Sequence, residues 1–205
     1  MNTMPNDDQL RSMRDPAVCE HRRAMLSFPH MIQLKTFAEK LRRPGLEVPD
    51  FDPVDGGVEA RALFLFEKPG PMTVKGGRGK RSGSGFISRN NDDPTAEAVF
   101  NFMRDAGIPR ELTILWNVIP WWNGTRAVTA PELQAGVSSL NELIHLLPRL
   151  RAVVLVGQRA ARARSYINGL TLFTCDHPSP LVRARWPERW NAIQSEWRKV
   201  ASFIA

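Results

Sequence analysis

Leu63-Phe64-Leu65-Phe66-Glu67-Lys68-Pro69-Gly70-Pro71 joins an apolar run to an abrupt polar stop. With Ala62, the first four of these residues make a short, wholly apolar segment, the pattern of a central strand covered on both faces. Glu67 stands where the run ends, and Pro69, Gly70 and Pro71 forbid continuation as strand or helix. In an open α/β sheet, chemistry gathers at the carboxyl ends of the strands. Glu67 is therefore the first candidate functional residue. A solvated glutamate that merely closes a strand is the alternative reading.

Working outward, the chain after this stretch alternates between strand and helix signals. Asp93 is a good N-cap and Pro94 a good first residue for a helix over 93–106, with Val99, Phe102, Met103 and Ala106 on its buried face and Gly107 ending it. Residues 112–116 form a second apolar strand, and Asn117 marks its end. A helix starts at Thr129 or Ala130, with Pro131 in its first turn, and runs to about residue 147. Ala152–Val156 is the third strand, 158–167 a short helix and 170–175 the fourth strand. His177-Pro178-Ser179-Pro180-Leu181 follows that strand, and a Trp-rich helix over 187–204 closes the sequence.

Such alternation predicts an α/β fold: a four-stranded parallel sheet with helices on both faces, joined by right-handed crossovers. Residues 1–55 read as an N-terminal helical extension packed on a main domain of residues 56–205. Within the extension, 17–43 is one helix or two divided at Pro29, and 44–57 is a Pro-, Gly- and Asp-rich connection. In a parallel sheet the strand ends share one edge. Glu67, Asn117 and His177 would then bring a carboxylate, an amide and an imidazole together.

Composition narrows the partners. The net charge is +7, which suits nucleic acid or another anionic surface. Residues 73–85, TVKGGRGKRSGSG, hold four positive charges, at Lys75, Arg78, Lys80 and Arg81. This loop is either a solvated surface segment or a phosphate-contacting arm, with Lys80 and Arg81 as its candidate contacts. It is not a Walker loop, since the Gly and Lys-Ser/Thr spacing is missing. The two cysteines, Cys19 and Cys175, cannot build a four-cysteine zinc or iron–sulfur site, and they imply no disulfide framework. The first residues lack the apolar core of a signal peptide, and no apolar run approaches the roughly 20 residues that span a bilayer. A cytoplasmic protein, most simply a monomer, with no membrane partner is the expectation.

Over residues 63–185 the sequence resembles the uracil-DNA glycosylase superfamily. Phe66-Glu67-Lys68-Pro69-Gly70 resembles the first motif of its iron–sulfur branch, which reads Gly-Glu-Ala-Pro-Gly. Asn117-Val118 after an apolar strand resembles the strand-end asparagine that reads uracil. His177-Pro178-Ser179-Pro180-Leu181 matches the last motif of the founding branch at all five positions. The departures are equally specific. Phe66 replaces the first Gly, and Trp121 stands where the iron–sulfur branch has a cysteine. Gly70 takes the place of the tyrosine that blocks the thymine methyl in the founding branch.

The resemblance implies a DNA repair glycosylase that hydrolyses the N-glycosidic bond of deoxyuridine in DNA, releases uracil and leaves an abasic site. It implies no metal and no cofactor, and uracil-containing DNA as partner. Glu67 and His177 become the catalytic pair, stabilising the sugar cation and the departing base anion. Asn117 reads the uracil edge, Gly70 borders the base, and Phe86 either stacks on the base or belongs to the core. Leu181 matches the wedge that fills the vacated stack, while Ser179 and Arg183 become phosphate contacts. Two other readings stay open. One is a glycosylase for hypoxanthine, xanthine or mismatched thymine; the other is a catalytically silent DNA-binding member of the fold.

Overall fold

The computed structural model describes residues 8–75 and 82–205. Its strands are β1 (Asp50–Phe51), β2 (Ala62–Phe66), β3 (Phe86–Ile87), β4 (Thr113–Asn117), β5 (Ala152–Val156) and β6 (Thr171–Cys175). Its α-helices are α1 (Pro16–Met25), α2 (Ile32–Leu41), α3 (Pro94–Asp105), α4 (Ala130–His145), α5 (Pro180–Arg185) and α6 (Pro187–Ile204). The main sheet has four strands in the order β4-β2-β5-β6, all parallel. Helices cover both faces, so the α/β architecture expected from the alternation is the one observed.

The strands pair in rows without offset. Ile114, Leu63, Val153 and Leu172 form one such row, and Leu115, Phe64, Val154 and Phe173 the next. Every residue of β2, β4 and β5 is buried, whereas the edge strand β6 is half-exposed. Successive side chains point to opposite faces, and the aromatic contacts identify what covers each. On one face Phe64 meets Trp197 of α6 edge-on, with ring centres 4.9 Å apart, and Trp197 in turn meets Phe102 of α3. On the other, Trp116 lies flat on Phe51 of β1, ring centres 3.7 Å apart, and meets Phe37 of α2.

The helix boundaries follow local chemistry. The Asp93 side chain accepts hydrogen bonds from the Thr95 and Ala96 amides at 2.9 and 3.0 Å, with Pro94 at the first helical position, and Gly107 leaves α3 with φ +67°. Thr129 and Glu132 close a capping box at the start of α4. Gly136 of α4 sits so close to the Val118 carbonyl that a Cβ there would overlap it. The extension breaks between α1 and α2 around Pro29, and Leu34, Phe37 and Ala38 of α2 belong to the same hydrophobic core as the sheet.

One expectation needs correction. The 44–57 connection is not wholly irregular: β1 lies within it and pairs in parallel with β3 as a second, two-stranded sheet. Two-residue strands are too short for any alternation to register. The short helix expected after β5 is present as a 3-10 helix, Ala160–Tyr166. Among the described residues no helix is long and apolar enough to cross a membrane.

A buried ion network ties the extension to the main sheet's surroundings. Asp52 is wholly enclosed and is bonded by Arg22 of α1, Arg110 and the Ser88 hydroxyl. Burial alone would raise its pKa, but Arg110 and Arg22 outweigh that and hold it below the usual carboxylate range. Arg110 also donates to Asp55 at 2.7 Å, to the Asn90 side chain at 2.7 Å and to Asp8. Asp8 in turn accepts from Arg89 at 2.8 Å. Removing one member of such a cluster strands the others without water. Asp52→Ala is expected to cost about 3–5 kcal/mol, measured by urea unfolding at neutral pH. A loss below about 1 kcal/mol, the range of a surface pair, would contradict this account.

Candidate active site

A cavity of about 770 Å³ opens at the carboxyl ends of β2 and β4. Phe66, Lys68, Pro69 and Gly70 line it from the β2 end, Leu115 and Asn117 from β4, and His177 from the segment after β6. Ile87, Ser88, Arg89 and Asn91 form a further wall, and Arg126 reaches in from the β4–α4 loop. Asn117, the last residue of β4, is opposite Phe66 in the register and 4% exposed. The sheet therefore brings two of the three strand-end candidates, Asn117 and His177, to one cavity.

Glu67 is placed differently. Phe66 and Lys68 line the cavity, whereas Glu67, between them at the bend that follows β2, does not. Its carboxylate is part-exposed and accepts a hydrogen bond from Arg159 Nη1 at 3.1 Å. Its carbonyl receives the Ile119 amide at 2.8 Å, which continues the β2–β4 pairing past Asn117. Glu67 thus stands beside the cavity, at the same sheet edge.

The position of His177 depends on two neighbours. Its ring packs edge-on against Phe66, with centres 5.8 Å apart and planes at 82°. Gly157, at the turn after β5, has φ +90°, and a Cβ there would come within 3.0 Å of the His177 Cβ. Only glycine meets both demands without strain. Burial, and after it the positive charge of Arg126, push the His177 pKa down to about 4. The imidazole is therefore neutral near pH 7 and presents one N–H donor.

Lys68, in the motif after β2, anchors the β4–α4 loop. Its ammonium donates to Asn123 Oδ1 at 2.8 Å, the Ala127 carbonyl at 3.0 Å and Glu132 Oε1 at 3.1 Å. Glu132 also accepts from Trp121 Nε1 at 3.3 Å and from the Asn123 amide at 3.0 Å. Trp121, 8% exposed, is thus a packed core residue with its N–H satisfied.

The remaining candidates divide. Gly70 borders the cavity, with its missing side chain facing Arg126. Of the two readings for Phe86, the structure matches the core one: the residue is fully buried, and the cavity wall at β3 is made by Ile87 and the residues after it. Phe86 pairs with Asp50 across β1 and β3 and belongs to the hydrophobic core. Ser179 caps α5 by accepting from the Val182 amide at 3.4 Å. Leu181 is 58% exposed, and Arg183 lies over the Trp190 ring at 5.7 Å. Lys80 and Arg81 lie outside the described residues. Among those residues no group of three or more His, Cys, Asp and Glu side chains gathers as a metal site. Cys19 is buried. Cys175 accepts from Trp197 Nε1 at 3.2 Å, and burial pushes its thiol up to about 12, leaving it unreactive as a nucleophile. Arg126 and Arg159 have no sequence signal: neither stands at a motif spacing, and only the folded loops bring them to the site.

With this geometry in view, the comparisons assign the family. The family model for the Uracil DNA glycosylase superfamily matches residues 54–200. The chain belongs to that superfamily, a family of DNA glycosylases. No curated protein matches the chain. Among solved structures, a mimivirus UNG variant crystallised in complex with UGI aligns over 79% of this chain and 69% of its own. The two share 14% identity, with a TM-score of 0.41.

A neutral His177 has a direct spectroscopic consequence. Its ring protons, followed by NMR, are expected to titrate with a midpoint near pH 4, well below an unperturbed histidine at about 6.5. A midpoint at or above 6.5 would contradict the burial described here.

Proposed function

We propose that the chain is a monofunctional DNA glycosylase that removes uracil from DNA by hydrolysis and leaves an abasic site. The observation that supports this most is that Asn117 and His177 line one cavity at the sheet edge where β2 ends in Glu67. A target base cannot be reached inside the duplex, so it must turn out of the helix into this cavity. The C1′–N1 bond then breaks, and its electron pair leaves with the base. Glu67 stabilises the sugar cation, water oxygen bonds to C1′, and the water proton passes by way of Glu67 to solvent. His177, held neutral, donates to the base oxygen on which negative charge grows.

Specificity falls to Asn117. Its amide offers one donor side and one acceptor side, which match uracil O4 and N3–H together. Cytosine presents the reverse pattern and would leave buried groups unpaired. Leu181, exposed on α5, is suited to fill the gap in the stack, and Ser179 and Arg183 flank it as phosphate contacts. The net charge of +7 favours the phosphate backbone.

One observation favours a second reading. Gly70 borders the cavity and adds no side chain to it. A glycosylase for hypoxanthine, xanthine or mismatched thymine fits the same chemistry.

Labelled oligonucleotides carrying U, T, hypoxanthine or xanthine, treated with protein and then alkali, separate these readings. Strand breaks at U well ahead of the others are expected, and preferential breaks at a purine would favour the second reading. In the same assay Asn117→Asp is expected to slow uracil excision by about a hundredfold or more. Wild-type rate and selectivity in that variant would remove Asn117 as the base reader.

A further inference from the structure

We propose that Arg126 is a catalytic residue of the base cavity, where its guanidinium stabilises the negative charge of the departing base. This rests on the glycosylase reading above and adds a residue to it. Three observations on the geometry carry it.

First, Arg126 lines the same cavity as Asn117 and His177. Its guanidinium lies against the backbone of Gly70: a Cβ built there would stand 3.1 Å from Nη2 and 4.0 Å from Cζ. The arginine thus uses space that any side chain at residue 70 would contest.

Second, the loop that carries it is fastened. Lys68 holds both Asn123 and Ala127, on either side of Arg126, and ties them to the end of β2. The segment bearing the guanidinium is therefore anchored to the strand end that also bears Glu67.

Third, the other cations on the cavity wall are engaged. Lys68 pairs with Glu132, and Arg89 pairs with Asp8. The carboxylates on that wall are committed too: Asp92 pairs with Arg11, and Asp93 caps α3. Arg126 makes no hydrogen bond or ion pair among the described residues. A cation that cannot be deprotonated, set at a cavity without a partner, is suited to an anion that exists only during reaction. Arg126 is exposed as a residue. DNA closing over the cavity would remove the water that now screens it.

In the step concerned, the C1′–N1 electron pair passes to N1 and spreads onto the base oxygens. Arg126 and the neutral His177 donate N–H bonds to that anion. No proton is transferred by Arg126. The base takes its proton from solvent after release, while water oxygen completes the sugar.

Single-turnover excision on single-stranded oligonucleotides tests this, comparing uracil with 5-fluorouracil, whose fluorine already stabilises the anion. Arg126→Gln is expected to slow uracil excision about a hundredfold and 5-fluorouracil excision much less, with Arg126→Lys between wild type and Gln. Equal losses on both bases, the mark of a phosphate contact, or no loss on either, would overturn the proposal. Wild-type protein that excises neither base would instead sink the glycosylase reading. A second measurement is independent of activity. Removing the guanidinium should raise the NMR titration midpoint of His177 in Arg126→Gln, and an unchanged midpoint would show that Arg126 does not face the cavity.

Discussion

The register of the parallel sheet is the constraint on which the rest depends. Four strands pair in rows without offset, and every residue of β2, β4 and β5 is buried. A slip of one residue would turn each strand's side chains to the opposite face. It would take Trp116 from Phe51 and Phe64 from Trp197. Aromatic packing on both faces therefore locks the register, and the register decides which residues arrive at the carboxyl edge. Asn117 arrives opposite Phe66, and His177 arrives two residues past the end of β6. Local features then refine the edge: Gly157 admits the His177 backbone, Phe66 orients its ring, and Lys68 draws in the β4–α4 loop.

The buried ions serve the same edge from another side. Taking Asp52, Arg22 and Arg110 out of water is costly, and such clusters are weak sources of net stability. What the network contributes is position. Ser88, Arg89 and Asn90 are held through Asp52, Asp8 and Arg110, and the first two of them line the cavity. Arg22 brings α1 into that cluster, so the extension braces the wall. Asp55 shows the strain of the arrangement: burial, with the nearby charge of Asp52 adding to it, raises its pKa to about 7 despite Arg110.

Much of this was legible in the sequence because its signals are local. Asp93-Pro94 and Thr129 cap the helices that follow them, and the apolar run Ala152–Val156 is β5 itself. The polar residues at strand ends pointed to the edge where the cavity lies. What the sequence did not reveal depends on contacts far along the chain. The β1–β3 pair spans two residues per strand, below any periodic signal. Phe86 follows a Gly-rich loop, as a stacking ring would, yet it is fully buried in the core. Arg126 sits in an irregular loop, and its place at the cavity follows from Lys68 bonds that no spacing encodes. Arg159 meets Glu67 across 92 residues for the same reason.

The central claim is that the carboxylate closing β2 acts on the sugar of a nucleotide whose base is held in the Asn117–His177 cavity. Glu67 faces Arg159 across a part-exposed pair, an interaction worth little in water. On the proposed reading the carboxylate leaves Arg159 for the sugar when DNA is bound. Single-turnover excision of uracil by Glu67→Gln, at saturating DNA with affinity measured in parallel, tests this most directly. The substitution keeps the size and removes the charge. The account predicts a rate lowered by about a hundredfold or more with DNA affinity nearly unchanged; a wild-type rate in that variant would remove Glu67 from the chemistry and contradict it.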